Sequence, residues 1–188
     1  GDGDFGLKTT AGVTGVGVTG GDSGNEIEIG ESIVASSETG FALESTTLAF
    51  LFDGPEFGDV EEIARITATF LDGSSPVEAL LQNVYTGPED QDLVLTVGGV
   101  ASNSFILDQS EATRSTAATV KLGALFGNGL LSSLTFEALF SEDCASGGAC
   151  NNQSDYSIAQ IVTVPEPGTL ALFGLGLAGL GLSRRRKA

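Results

Sequence analysis

The sequence predicts an all-β protein, an antiparallel two-sheet β-sandwich of jelly-roll-like form followed by a C-terminal hydrophobic helix. Short segments rich in Val, Ile, Thr and Phe recur along the chain, which is typical of strands. Turn-forming pairs such as Asp72-Gly73 and Gly98-Gly99 separate these segments, because glycine accepts positive φ angles. The C-terminal residues differ, since they form an uncharged apolar run that predicts the helix.

Alternation of apolar and polar residues sets the predicted strands. We expect them at approximately residues 13–19, 26–29, 33–36, 41–52, 63–71, 77–85, 93–97, 104–107, 118–122, 134–140 and 156–162. The clearest is residues 26–29, where alternation places Ile27 and Ile29 on one face. Residues 60–66 could also form a helical turn, but alternation resumes at Ile66, so we interpret most of that segment as strand. The first 25 residues are otherwise only glycine-rich.

We divide the chain into a β-sandwich body at residues 1–163 and a tail at residues 164–188. The chain holds 25 acidic and 8 basic residues, of which the tail takes one and four, so the body has 24 acidic and 4 basic residues and a net charge near −20. A surface that binds nucleic acid needs clustered Lys and Arg, so we expect no nucleic-acid partner. The hydrophobic fraction of 41% supports one folded domain with a core.

The residue types argue against an enzyme. The chain has no His, which excludes Ser-His-Asp catalysis. Lys8 and Lys121 leave a Ser-Lys dyad formally open, and abundant carboxylates leave glycoside hydrolysis open. Sites that cleave sugars also use aromatic platforms, and this chain has no Trp and only two Tyr. We therefore expect no catalytic residues.

The two cysteines, Cys144 and Cys150, lie close together in the sequence. Gly147 and Gly148 between them accept unusual backbone angles, so the loop can close tightly. We predict a disulfide, which would contribute roughly 2 to 3 kcal/mol on the chain-entropy estimate. A redox dithiol or a metal-binding pair is the alternative.

Acidic loop residues raise the hypothesis of a Ca²⁺ site, because this cation takes oxygen ligands from closely spaced carboxylates and carbonyls. We favour Asp53, Glu56 and Asp59 as ligands, since Gly54 and Gly58 would let backbone carbonyls turn inward. Further acidic groups are Asp2 with Asp4, and Glu89 with Asp90 and Asp92. The alternative is a solvated acidic surface, and no cofactor other than Ca²⁺ is expected.

The tail has three parts in a fixed order. The first part is Val164, Pro165, Glu166, Pro167 and Gly168, and its Pro-Glu-Pro element cannot continue a helix or a sheet ladder, because proline lacks an amide proton. Residues 169–182 carry no charge and would make a helix of roughly 21 Å, short of the roughly 30 Å apolar core of a bilayer. This shortfall predicts a transient anchor. The basic residues that follow would act as a membrane stop on the cytoplasmic side; they are Arg184, Arg185, Arg186 and Lys187.

This order of parts resembles the PEP-CTERM sorting signal of exported proteins in Gram-negative bacteria. The resemblance rests on residues 164–168, the apolar run and the basic end. It implies recognition by an exosortase-type machinery in the inner membrane, cleavage near the motif, and release to the cell surface or extracellular matrix. No Met precedes Gly1, so we also expect a chain that begins after removal of an export signal.

These features together predict a non-enzymatic structural protein of the cell surface or extracellular (biofilm) matrix. Strands rich in Val and Thr offer edges for pairing with another copy, and an apolar tail in water needs shielding by lipid or by other subunits. We therefore expect a homo-oligomer, such as a filament or sheath. The alternative is a calcium-dependent carbohydrate-binding module that binds matrix polysaccharide.

Overall fold

A computed structural model describes residues 3–21, 24–52, 60–86, 92–111, 116–141 and 154–164. Within these ranges the chain is all-β, as the sequence predicts, with one short 3₁₀ helix at Asn103–Phe105. The strands are β1 (Phe5–Thr10), β2 (Val13–Val18), β3 (Ser32–Ala49), β4 (Ile63–Phe70), β5 (Val77–Val84), β6 (Asp92–Val97), β7 (Val100–Ala101), β8 (Ile106–Gln109), β9 (Val120–Leu122), β10 (Leu131–Leu139) and β11 (Ser157–Val164).

All eleven strands belong to one antiparallel sheet. Its order is β1-β2-β11-β3-β10-β4-β5-β6-β7, with β9 also pairing with β3 and β8 pairing with β9. The predicted division into two packed sheets is therefore not visible in the strand pairing and stays a prediction. The predicted C-terminal helix lies outside the described residues, and within them no helix is long and apolar enough to cross a membrane.

Strand β3 joins the two halves of the sheet. Its first arm pairs with β10, from Ser32 opposite Glu137 to Phe41 opposite Leu131. Its second arm, residues 42–49, pairs with β11 on one side and with β9 on the other. The register against β10 shifts near the end of the first arm, between Ser36 and Phe41, where Gly40 has a φ of +86° that few other residues adopt. The segments predicted as separate strands at 33–36 and 41–52 are thus arms of one strand.

The core draws on both halves of the sheet. Alternate residues of β4 and β10 are buried, as their apolar–polar alternation predicts. The largest fully buried side chains include Tyr156, Phe136 and Leu48, which belong to one continuous hydrophobic cluster. Full burial of such an apolar side chain contributes about 1.5 to 3 kcal/mol, so this cluster is the main source of stability.

The N-terminal residues form a strand that the sequence does not reveal. Strand β1 pairs with β2 in a hairpin whose inner face, the one that residues 24–26 cover, carries Gly6, Gly15, Gly17 and Lys8. A Cβ at Gly17 would lie 2.6 Å from the backbone carbonyl carbon of Asn25, so no other residue fits there without movement. The glycines allow residues 24–26 to pack directly on the hairpin.

The prediction of a strand at residues 26–29 is wrong. Ile27 and Ile29 form only isolated bridges, to Tyr156 and Ala138. Ile27 is fully buried but Ile29 is 39% exposed, and the preceding Glu26 is also buried. The alternation fails here because the amide of Val18 bonds to the carbonyl of Glu26, which ties this segment to the hairpin rather than to a strand partner on each side.

Candidate functional site

Strand β11 carries the start of the predicted sorting motif. It lies between β2 and β3 in the sheet order, and its last pair joins Val164 to Ala42. Val164 is 41% exposed at this strand end. The ladder can stop here for a simple reason, since Pro165 has no amide proton to donate. Val164 is therefore the part of the motif that the structure describes, and it belongs to a paired strand.

The remaining tail residues of the prediction lie outside the described residues. These are Pro165, Glu166, Pro167 and Gly168 of the motif, and Arg184, Arg185, Arg186 and Lys187 of the basic end. The predicted disulfide partners, Cys144 and Cys150, also lie outside them, so the disulfide stays a prediction.

The start of β11 is fixed in the core. The amide of Ile63 donates to Ser154 Oγ at 2.7 Å, which ties the segment before β11 to the start of β4. The hydroxyl of Tyr156 donates to the carbonyl oxygen of Glu137 at 3.1 Å. Burial raises the pKa of Tyr156 well above its usual value, and the nearby Glu137 carboxylate raises it further. The strand that carries the motif is therefore bound firmly to β4 and β10.

The favoured calcium ligands, Asp53, Glu56 and Asp59, lie outside the described residues. Two carboxylates at the base of that loop are described. Glu61 accepts hydrogen bonds from Gln82 Nε2 at 2.9 Å and from the amide of Tyr85 at 3.1 Å. These contacts hold the loop base to β5 and show that Glu61 has a structural role.

Glu62 is fully buried beside Glu61, and its carboxylate accepts a hydrogen bond from the amide of Phe52. Its neighbour Asn83 donates from Nδ2 to the carbonyl of Leu51 at 2.8 Å. Asn83 Oδ1, in contrast, is buried with no hydrogen-bond partner in the described part of the chain. An acceptor in this position can be satisfied by a water or a cation. No three Asp, Glu, His or Cys side chains of the described ranges are grouped to hold a metal.

The sequence did not predict the ion pairs of Lys8 with Glu26 and of Arg65 with Glu137 and, at 3.8 Å, with Glu78. Lys8 pairs with Glu26, whose side chain is only 1% exposed, and its ammonium lies 5.2 Å from the centre of the Phe50 ring. Arg65 pairs with Glu137 at 3.0 Å across β4 and β10. The partners are 18 and 72 residues apart, so no local pattern could have revealed them. Lys8 is thus engaged with a carboxylate on the inner face of the hairpin.

Comparison with known protein families finds a match to the PEP-CTERM protein-sorting motif over residues 163–187. The match covers the tail and the last two residues of β11. Searches of curated proteins and of solved structures find no match to the chain. The motif indicates export, processing at a membrane and recognition by exosortase sorting machinery. The chain is therefore a protein with a PEP-CTERM sorting domain, and it is identified by that motif as an exosortase substrate.

Proposed function

We propose that this protein is a non-enzymatic structural component of the cell surface or extracellular matrix, and that its body assembles with copies of itself after sorting. The sorting motif supports delivery to the outside. The single observation that supports assembly is the edge strand β1, the first strand in the sheet order. Phe5 and Leu7 on this strand are 70% and 65% exposed.

An apolar edge strand of this kind favours pairing with another chain. Phe5 and Leu7 lie opposite Val18 and Val16 of β2, which belong to or pack against the core. They therefore lie beside Val16 and Val18 on the face of the hairpin opposite its glycines, and extend that apolar face beyond the residues that cover it. Asn25 Nδ2 donates to the carbonyl of Leu7, so one backbone acceptor of β1 is already occupied. A second copy would pair with the rest of the strand and cover the two exposed side chains.

The test measures the assembly state of the full chain in mild detergent, which shields the tail. We expect Phe5→Lys to reduce the oligomer to a monomer in analytical ultracentrifugation. Val94→Lys is the matched control, because Val94 is 47% exposed on β6, a strand that is paired on both sides. A monomeric wild type, or an oligomer that survives Phe5→Lys, would overturn the self-assembly proposal.

The two-layer sandwich is part of this proposal. Both ends of β3 lie at the same end of the sheet. Ser32, at its start, is opposite Glu137. Phe52, just after its end, accepts a hydrogen bond from the amide of Glu62, just before β4. Phe41, in the middle of β3, lies at the other end opposite Leu131. The two arms of β3 therefore run in opposite directions along the sheet, and their residues share one core. This arrangement supports two stacked layers.

A calcium-dependent carbohydrate-binding module is the second candidate. The observation that favours it is the buried Asn83 Oδ1, which lacks a donor beside the base of the predicted calcium loop. A bound cation would satisfy this oxygen together with carboxylates of residues 53–59. Carbohydrate binding would then depend on the loop order that the cation imposes.

Calorimetric titration of the full chain with Ca²⁺, then with acidic and neutral polysaccharides, tests this candidate. We expect a heat of binding and a higher melting temperature with Ca²⁺, both lost in Asp53→Asn. Asp108→Asn is the control, since Asp108 is an exposed carboxylate on β8. The absence of any heat and of any shift in melting temperature would remove this candidate.

A further inference from the structure

The sheet has two ends of different character. We call the end at which β11 stops the tail end. There Val164 pairs with Ala42, and the adjacent Phe41 lies level with Leu131 and Phe70. The connections at this end are residues 37–41, 71–76, 98–99 and 123–130.

The opposite end of the sheet, where Leu139 pairs with Ile63, we call the acidic end. Described segments at this end include residues 26–31, 60–62, 92 and 154–155. They carry seven carboxylates, from Glu26, Glu28, Glu31, Glu61, Glu62, Asp92 and Asp155, and Lys8 pairs with the first of these. The four connections of the tail end carry two charged side chains, Glu38 and Asp72, and the adjoining strand ends add Glu44 and Glu78. The negative charge of the described body is thus concentrated away from the point where the tail leaves.

The tail end also exposes apolar side chains. Leu71 is 43% exposed in the β4–β5 turn, and Val100 is 66% exposed beside the β6–β7 turn. An open hollow of about 360 Å³ lies between the β4–β5 turn and the start of β10; Phe70, Leu71, Asp72, Gly129 and Leu130 line it. The amide of Ser74 donates to Asp72 at 2.9 Å and lowers the pKa of that carboxyl, so Asp72 stays charged at the rim.

The tail leaves little chain between body and membrane. The family match begins at residue 163, inside the paired part of β11. Only residues 165–168 separate Val164 from the uncharged run, and four residues span at most about 14 Å when fully extended. That reach is about twice the thickness of one headgroup layer, which is roughly 5 to 8 Å, and it leaves no room for a long flexible linker.

We propose that the tail end of the body lies against the lipid surface while the tail is in the membrane, with Leu71 and Val100 at the level of the headgroups and the acidic end facing away. The inference rests on the export step of the proposed function and on the transient membrane anchor that the sequence predicts for the tail. Strand β4 has eight residues and so separates the two ends by about 26 Å, well beyond the screening length of about 8 to 10 Å at physiological salt. Only in this orientation do the carboxylates of the acidic end lie farther from anionic lipid than the screening length, so that the repulsion between them is screened.

The absence of Trp from the sequence makes the test direct. The variants Leu71→Trp and Phe140→Trp each introduce a single fluorophore at an exposed apolar position, one at the tail end and one beside the acidic end. Each full-length variant is reconstituted into vesicles of phosphatidylcholine and phosphatidylglycerol, and melting curves confirm that both variants fold. Flotation in a density gradient first measures whether the tail anchors the chain.

Brominated lipid then reports which end meets the membrane. We expect at least twofold quenching and a blue-shifted emission for Leu71→Trp, with little quenching for Phe140→Trp. Flotation with equal quenching of both variants, or stronger quenching of Phe140→Trp, overturns the orientation but leaves the anchored intermediate intact. A failure of both variants to float removes the anchored intermediate and the orientation together.

Discussion

The N-terminal hairpin β1–β2 and the ribbon β10–β4–β5 pack in different ways. In the ribbon, large apolar side chains such as Phe136, Ile66 and Leu81 face inward and are at most 1% exposed. In the hairpin, glycines face inward, while Phe5 and Leu7 remain mostly exposed. The ribbon is therefore stabilised mainly by buried apolar area, whereas the hairpin adds close backbone contact and one ion pair to the packing of Val16 and Val18 against the core.

The largest expected effect is the loss of Phe136 from the ribbon. Phe136→Ala should lower the free energy of unfolding by about 3 to 5 kcal/mol, because it leaves a cavity in a fully packed core. Leu7→Ala in the hairpin is the matched truncation, and we expect a change within about 0.5 kcal/mol because Leu7 is 65% exposed. Urea unfolding of both variants checks the contrast, and similar losses would show that the hairpin also depends on apolar burial.

The stability of the hairpin should instead be sensitive to side-chain atoms added at its glycines. Gly17→Ala should cost about 1 to 3 kcal/mol, since the new Cβ would meet the backbone of Asn25 and Glu26, which cannot rotate away. Gly123→Ala is the control, because its Cβ would lie 3.5 Å from Leu107, an ordinary contact, and should change stability by less than about 1 kcal/mol. Equal melting temperatures for the two variants would contradict the close-packing explanation.

This contrast explains which parts of the fold the sequence could predict. Alternation identifies β4, β5 and β10 because the side chains that alternate are the ones that pack. It misses β1, whose inner face has no side chain at Gly6 and a lysine at Lys8. The same limit applies to the site. The tail motif is contiguous and was found in full, whereas the ion pair of Lys8 with Glu26 depends on strand pairing that no local pattern encodes.

The ion pairs of the hairpin and of the ribbon should also differ in their contribution to the free energy of unfolding. Lys8→Met should cost about 1 to 2 kcal/mol, because it removes the cation beside the nearly fully buried Glu26; this is less than for a wholly buried pair, since Lys8 is 29% exposed. Arg65→Met should cost at most about 1 kcal/mol, since Arg65 and Glu137 are each about one third exposed. Added salt should reduce the contribution of Arg65 to stability more than that of Lys8, because exposed charges are screened more than buried ones. The reverse order of losses in urea unfolding would show that burial does not set the strength of these pairs.

A small effect at neutral pH is expected at Tyr156, which links β11 to the ribbon. Tyr156→Phe removes the hydrogen bond to the carbonyl of Glu137 and should cost about 1 kcal/mol at pH 7. Burial raises the pKa of Tyr156 in the folded protein, whereas the unfolded chain titrates near pH 10. The contribution of this phenol to stability is therefore present below about pH 10 and is lost as the pH rises further.

For one proton the loss is about 1.4 kcal/mol per pH unit, so between pH 10 and 11 it should exceed the cost of the hydrogen bond. The stability curves of the wild type and Tyr156→Phe should then converge and cross in this range, because all other titrating groups are common to both. Urea unfolding at several pH values measures the curves, and tyrosinate absorbance in the wild type should rise only on unfolding for one of the two tyrosines. Parallel curves up to pH 11 would mean that Tyr156 ionises without leaving the core, and that the contact between β11 and the ribbon is looser than its burial indicates.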